Sequence, residues 1–144
     1  MNLSQISVFL ENKPGTLNAM TDVLAKAGID MRAMTLAEAS DFGIARIIVE
    51  DNYKAVMALK DAGYVCSNTP VVGVAIPDEP GGLNSILVIL TEANINIEYM
   101  YAFMGHKDGK NAYMIFRVSD PSAAAKALKE KGVKVIKQEN ICNL

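Results

Sequence analysis

Ile6, Val8 and Leu10 alternate with Gln5 and Ser7, a period of two that predicts a strand with one covered face. Beyond "NKPGTL" (Asn12–Leu17) the period lengthens. Leu17, Met20, Leu24 and Ala27 fall three or four residues apart, the spacing of one helix face, and Gly28 suits a helix stop. "IDMRAMTLAE" (Ile29–Glu38) and "FGIARIIVE" (Phe42–Glu50) predict two more strands, turned through Ala39–Asp41. Tyr53–Ala62 reads as a second helix closed by Gly63, and "YVCSN" (Tyr64–Asn68) as a fourth strand. The same order then returns as Val72–Ile76, Gly82–Ala93, Ile95–Phe103, Ala112–Val118, Pro121–Lys131 and Val133–Lys137, with Leu83, Ile86, Leu90 and Ala93 repeating the helical stripe.

The return is a duplication. Pro14 and Pro80, Gly15 and Gly81, Leu17 and Leu83, Leu24 and Leu90, and Ile29 and Ile95 are each 66 residues apart. "ALKDAG" (Ala58–Gly63) matches "ALKEKG" (Ala127–Gly132) at an offset of 69, so the extra residues fall in "MGHKDGKN" (Met104–Asn111), where a loop absorbs them. The predicted fold is α+β: two ferredoxin-like β-α-β-β-α-β modules side by side, residues 1–70 and 71–144, each an antiparallel sheet with its helices on one face. A unit of this size is marginal alone. The direct link "TPVVGV" (Thr69–Val74) keeps the copies adjacent, as one continuous platform.

Composition narrows the function. With 14 basic and 16 acidic residues in 144, the chain has no field for drawing in nucleic acid or an anionic membrane. "SILVIL" (Ser85–Leu90) is too short to span a bilayer, and Gln5, Glu11, Asn12 and Lys13 break any signal-peptide core, so a cytoplasmic protein is expected. Cys66 and Cys142 make no C-x-x-C pair, and Cys66 reads as a small buried hydrophobe. His106 stands in the inserted hairpin without metal-ligand company, so no metal or cofactor is expected. Most of the eight methionines read as core, with Met31 and Met34 as candidates for a ligand wall. Tyr99 and Tyr101 suit either a sheet face or an oligomer contact. "KALKEKGVKVIK" reads as a solvated helix face, interrupted by Glu130. No nucleophile-base-orienter set or phosphate loop is visible, which argues against an enzyme.

The chemistry gathers at the two Pro-Gly turns. Each ends a strand and opens a helix. Proline gives up an N–H that has no helical partner, and glycine lets a ligand approach the backbone. Free amides at a helix head then favour a carboxylate. The plainer reading makes Asn12 and Asp78 turn formers and caps.

The paired "PG.L" turns, followed by "L..AGIDM" (Leu24–Met31) and "L..ANINI" (Leu90–Ile97), resemble the ACT domain twice over. That resemblance implies a small-molecule sensor whose ligand lies between two modules. It would touch the loop before the first helix of one and the second-strand start of its neighbour. Carried over, Asn12, Lys13, Pro14, Gly15, Thr16 and Leu17 would act with Asn96, Ile97 and Glu98, a set suited to a zwitterion. Asp78, Glu79, Pro80, Gly81, Gly82 and Leu83 with Asp30, Met31 and Arg32 would form a weaker site, rich in carboxylates and closed by an Arg32 ion pair. The resemblance implies an amino-acid-binding, allosteric regulatory protein, a homo-oligomer such as a dimer, that signals to an enzyme of amino-acid metabolism. The alternative is a structural or regulatory subunit that binds such an enzyme without needing ligand.

Overall fold

The computed structural model describes residues 3–104 and 111–144; the inserted hairpin with His106 lies outside them. Two compact units emerge: Ser4–Thr69, and Pro70–Leu144 joined by Leu3.

The first unit runs β1 (Leu3–Glu11), α1 (Thr16–Lys26), β2 (Met31–Ala39), β3 (Phe42–Val49), α2 (Asn52–Asp61) and the opening residues of β4 (Cys66–Pro77). β3 lies between β1 and β2, antiparallel to both, with Ile6 opposite Ile47 and Thr35 opposite Arg46. Phe9 N–H donates to the Val65 carbonyl, and Ser4 Oγ donates to Asn68 Oδ1, which sets the start of β4 beside β1. The expected helical stripe buries Met20 and Leu24 of α1, with Ala55 and Leu59 of α2, on Ile6, Val8, Leu10, Ala45, Ile47 and Val49. Each large side chain removed from water this way stabilises by about 1.5–3 kcal/mol.

The second unit repeats the order with the rest of β4, α3 (Gly82–Glu92), β5 (Ile97–Ala102), β6 (Asn111–Val118), α4 (Pro121–Glu130) and β7 (Val135–Ile136). Its strands lie in the order β5-β6-β4-β7. Val72, Val74 and Ile76 meet Ile86, Leu90, Ala124 and Leu128 in a second core. Two β-α-β-β-α-β modules with antiparallel sheets are therefore present, as the patterning predicts.

Helix ends follow local chemistry. Asp51 caps α2 by accepting from Lys54 N–H, and Asp120 caps α4 by accepting from Ala123 N–H. Past α1 the chain turns left-handed at Gly28 (φ 70), and at the matching place past α3 it does so at Asn94 (φ 58), the side chain that best tolerates that region after glycine.

Several expectations give way. Gln5 and Ser7 are buried, 0% and 8% exposed, with Gln5 Nε2 donating to Ser7 Oγ at 3.0 Å. The polar face of β1 is thus out of water at Gln5 and Ser7 but exposed at Phe9 and Glu11; polar alternation alone cannot distinguish water from a hydrogen-bonded partner. The last three residues of "YVCSN", Cys66–Asn68, and Val72–Ile76 belong to one strand, β4, running through Pro70, while Tyr64 and Val65 precede it. Proline lacks a donor but keeps its carbonyl, which accepts from Arg117 Nη1 at 2.8 Å. Val133–Lys137 narrows to the two residues of β7, and a 3-10 helix, Gln138–Asn143, follows and buries Ile141. Cys66, expected to be buried, is half-buried beside the first core.

Candidate functional site

Both Pro-Gly turns build the same unusual helix head. Gly15 (φ 87) and Gly81 (φ 84) are left-handed N-caps, and neither α1 nor α3 has a side-chain cap, in contrast to the aspartate-capped α2 and α4. In the first turn Asn12 N–H donates to Asp41 O, Lys13 N–H to Glu11 O, and Thr16 N–H to Lys13 O at a long 3.4 Å. The amides of Leu17 and Asn18 find no acceptor among the described residues. They are donors without a partner at the positive end of a helix.

That head borders a cavity of about 120 Å³ lined by Leu10, Glu11, Asn12, Lys13, Gly15, Thr16, Leu17, Leu36, Ala37, Glu38 and Gly43. Its walls are apolar at Leu10, Leu17 and Leu36, and its rim carries charges of both signs. Lys13 Nζ lies 2.8 Å from Glu11 Oε2, an exposed pair whose net worth is below about 1 kcal/mol. Glu38 accepts a long bond from Asn12 Nδ2 (3.4 Å) and keeps acceptor capacity for an ammonium. An engineered cavity of about 150 Å³ holds benzene. By that scale the hollow suits the few heavy atoms of a small amino acid.

Asn12 also holds the loop in place, because its Nδ2 donates to the Ser40 carbonyl at 2.9 Å and so ties the loop to the β2–β3 turn. A second hollow, about 350 Å³, flanks the same turn and is lined by Phe9, Leu10, Glu11, Thr16, Ala19, Gly63, Tyr64 and Val65. It offers no cation, so it lacks the charge pattern of the smaller one.

In the other turn Glu79 N–H donates to Pro77 O and Gly82 N–H to Glu79 O. Asp78, Glu79, Pro80 and Gly81 are exposed, Leu83 is 38% exposed and Gly82 is buried. A Cβ on Gly82 would lie 2.1 Å from the Pro77 carbonyl oxygen. Thr16 holds the matching position in the first turn, and its Oγ1 donates to Glu11 O (2.7 Å) and to Lys13 O (3.0 Å).

The two second-strand starts share a feature that the sequence does not reveal. The β2–β3 register shifts between Met31 and Ala33, and the β5–β6 register between Ile97 and Tyr99, which leaves Arg32 and Glu98 as bulge residues. Bulges re-aim side chains and gather near functional sites. Arg32 Nη1 lies 3.9 Å from both Asp30 and Glu50, and Glu98 lies 3.9 Å from Arg117 Nε. Asn96 is exposed, and its backbone pairs with Ser119 in both directions. Tyr99 and Tyr101 stack at 6.5 Å between ring centroids.

Sequence reasoning placed the first wall of the cavity at Asn12–Leu17 and missed Leu36, Ala37, Glu38 and Gly43 opposite. Gly43 was the available signal. A glycine inside a strand marks close approach, and a Cβ there would meet Ala37 O at 3.1 Å. Among the described residues no cluster could hold a metal ion, and no helix is long and apolar enough to cross a membrane.

A family model for the ACT domain pair matches residues 1–144. No curated protein sequence matches significantly. Among solved structures, protein BT0572 from Bacteroides thetaiotaomicron is 40% identical with a TM-score of 0.92, over 100% of this chain and 98% of that one. The ligand-free regulatory subunit of aspartate kinase from Thermus thermophilus shares the fold at 17% identity and a TM-score of 0.66, over 90% of this chain and 93% of that one. The aspartate kinase regulatory subunit from Thermus flavus does so at 17% identity and a TM-score of 0.61, over 90% and 92%. Sequence match, module duplication and fold agree along the whole length: the chain belongs to the ACT domain pair family.

Proposed function

We propose that this protein is an amino-acid-responsive regulator: it holds a small free amino acid at the turn Asn12–Leu17 and signals to an enzyme of amino-acid metabolism. The observation that carries the reading is the uncapped head of α1, with the free Leu17 and Asn18 amides, beside a cavity bearing Lys13 on one side and Glu38 on the other. A carboxylate meets the amides and Lys13, an ammonium meets Glu38 and Glu11, and a short side chain meets Leu10, Leu17 and Leu36. Charge-assisted hydrogen bonds contribute about 1.5–3 kcal/mol each and the helix end about 0.3–1. With the apolar contact they approach the ~8 kcal/mol of micromolar affinity. The enzyme partner is supported by the neighbours described as regulatory subunits of aspartate kinase.

Asn96, Ile97 and Glu98, the turn Asp78–Leu83, and Asp30, Met31 and Arg32 are further candidates for ligand contact in this proposal and are open to single substitutions. A thermal-shift panel of the common L-amino acids tests the reading. A ligand at 100 times Kd stabilises by about 2.7 kcal/mol. Lys13→Ala and Glu38→Gln each weaken binding tenfold or more under this reading. Silence across the panel at millimolar concentration overturns the ligand and leaves a partner-binding subunit.

A further inference from the structure

The two Pro-Gly turns descend from one sequence, yet they differ at one position in a way that decides whether a ligand fits. In the second turn the first helical residue, Gly82, sits so close to the end of the preceding strand that a Cβ would lie 2.1 Å from the Pro77 oxygen, well inside the 3.0 Å that real Cβ contacts respect. In the first turn the same position carries a full side chain, Thr16, whose hydroxyl reaches the matching strand-end carbonyl, Glu11 O, at 2.7 Å and the Lys13 carbonyl at 3.0 Å. The head of α1 therefore leaves room for a side chain beside its strand-end carbonyl, whereas that of α3 leaves none.

We infer that Thr16 is the positioning residue that props the first turn open, and that Gly82 closes the second, so that each chain takes one amino acid and not two. The inference rests on the reading of the turn as an amino-acid site and sets its capacity. Thr16, with Leu10 and Glu11, contributes to the linings of both hollows of the first module. The hydroxyl shares its one hydrogen between the Glu11 and Lys13 carbonyls at the strand end of the loop, where the second turn has no room even for a Cβ. The duplicated chain thus keeps one open turn and one closed turn. The charges agree: the open turn bears Lys13, and the closed one bears Asp78 and Glu79 at the places where a carboxylate would arrive.

Two measurements decide it. Titration calorimetry with glycine, L-alanine, L-serine and L-threonine is run on the wild type, Thr16→Ser and Thr16→Gly, and ligand-free crystal structures are solved for both variants. The expected result is one ligand per chain, a tenfold or greater loss of affinity in Thr16→Gly, and affinity within threefold of wild type in Thr16→Ser, which keeps the Cβ and the hydroxyl. In the structures, Thr16→Gly has the head of α1 settled on the Glu11 carbonyl and the small cavity lost, and Thr16→Ser retains it. Two ligands per chain, or a cavity unchanged in Thr16→Gly, overturns the inference. If no probe binds the wild type, the amino-acid reading fails on its own, and the ligand-free structures still decide whether Thr16 is the prop. Should Thr16→Gly fail to fold, Thr16→Ala, which removes only the hydroxyl and methyl, takes its place with the same expected direction.

Discussion

Replacing Gly82 with alanine puts one methyl group where the structure has room for none. The added carbon would lie 2.1 Å from the Pro77 carbonyl oxygen and 3.2 Å from Ile76 Cγ2. Both the oxygen and the helix backbone are held by hydrogen bonds, Glu79 N–H to Pro77 O and Ser85 N–H to Gly81 O, so neither yields as a flexible side chain would. Overpacking of this kind costs about 1–3 kcal/mol. Gly82 has no left-handed φ, so alanine recovers about 0.5–1 kcal/mol through its better helix propensity. A carbon this far inside contact distance falls in the upper part of that cost, about 2–3 kcal/mol, so the net expectation is a loss of about 1–2.5 kcal/mol, a fall in Tm of roughly 2–10 °C for a chain of this length.

The control sits in the same molecule. Thr16→Ala at the equivalent place already has its Cβ accommodated and loses one exposed hydroxyl hydrogen shared between two carbonyls, about 0.5–1.5 kcal/mol, against a similar helix-propensity gain. It should be close to neutral. Urea unfolding of both variants, with m-values compared to confirm an unchanged transition, separates them. A Gly82→Ala protein as stable as the wild type, or more so, would refute the close packing of that turn and the reasoning built on it.

Other substitutions probe the remaining parts. Asp51→Ala and Asp120→Ala each remove a cap and cost about 0.5–2 kcal/mol, whereas asparagine at either place retains most of the stability in the same urea assay. Leu59→Ala and Leu128→Ala, one in each core, each cost about 2–5 kcal/mol. Asn12→Ala frees the Ser40 carbonyl and should speed amide exchange around Ala39–Asp41 while leaving the cores intact. The Lys26 amine is raised above its usual pKa, first by its hydrogen bond to Asp22 and then by that carboxylate's charge. Its small stabilising effect is complete below the ordinary lysine pKa and is lost as pH rises through the raised value. Asp22→Asn therefore lowers the Lys26 titration midpoint, read by NMR.

Much of the architecture was readable because burial imposes a period. The Leu17–Ala27 and Leu83–Ala93 stripes and the alternating strands follow from one face of each element being apolar, and the 66-residue offset of the first half of each copy marks the duplication. The misses arise where pairing or backbone contact decides. The bulges at Arg32 and Glu98 exist only in relation to β3 and β6, so no local pattern marks them. Gln5 and Ser7 look like solvent-facing residues until their hydrogen bond and burial are seen. The first candidate loop was visible from its glycine and proline. Its far wall at Leu36–Glu38 was not, because a helix and most of a strand separate it from the loop and only the fold brings it back. The difference between Thr16 and Gly82 was present in the sequence, but its meaning depends on a distance.

The central claim is that a free amino acid docks on the head of α1. The most direct measurement is a ¹H–¹⁵N NMR titration of the wild-type chain with individual L-amino acids, following the amides of Leu17 and Asn18. The account predicts that a small amino acid shifts these two signals in a saturable way, with Lys13→Ala weakening the response and Leu83 and Asn84 remaining still. Saturable binding that leaves Leu17 and Asn18 unmoved, or no response to any amino acid at millimolar concentration, would contradict it.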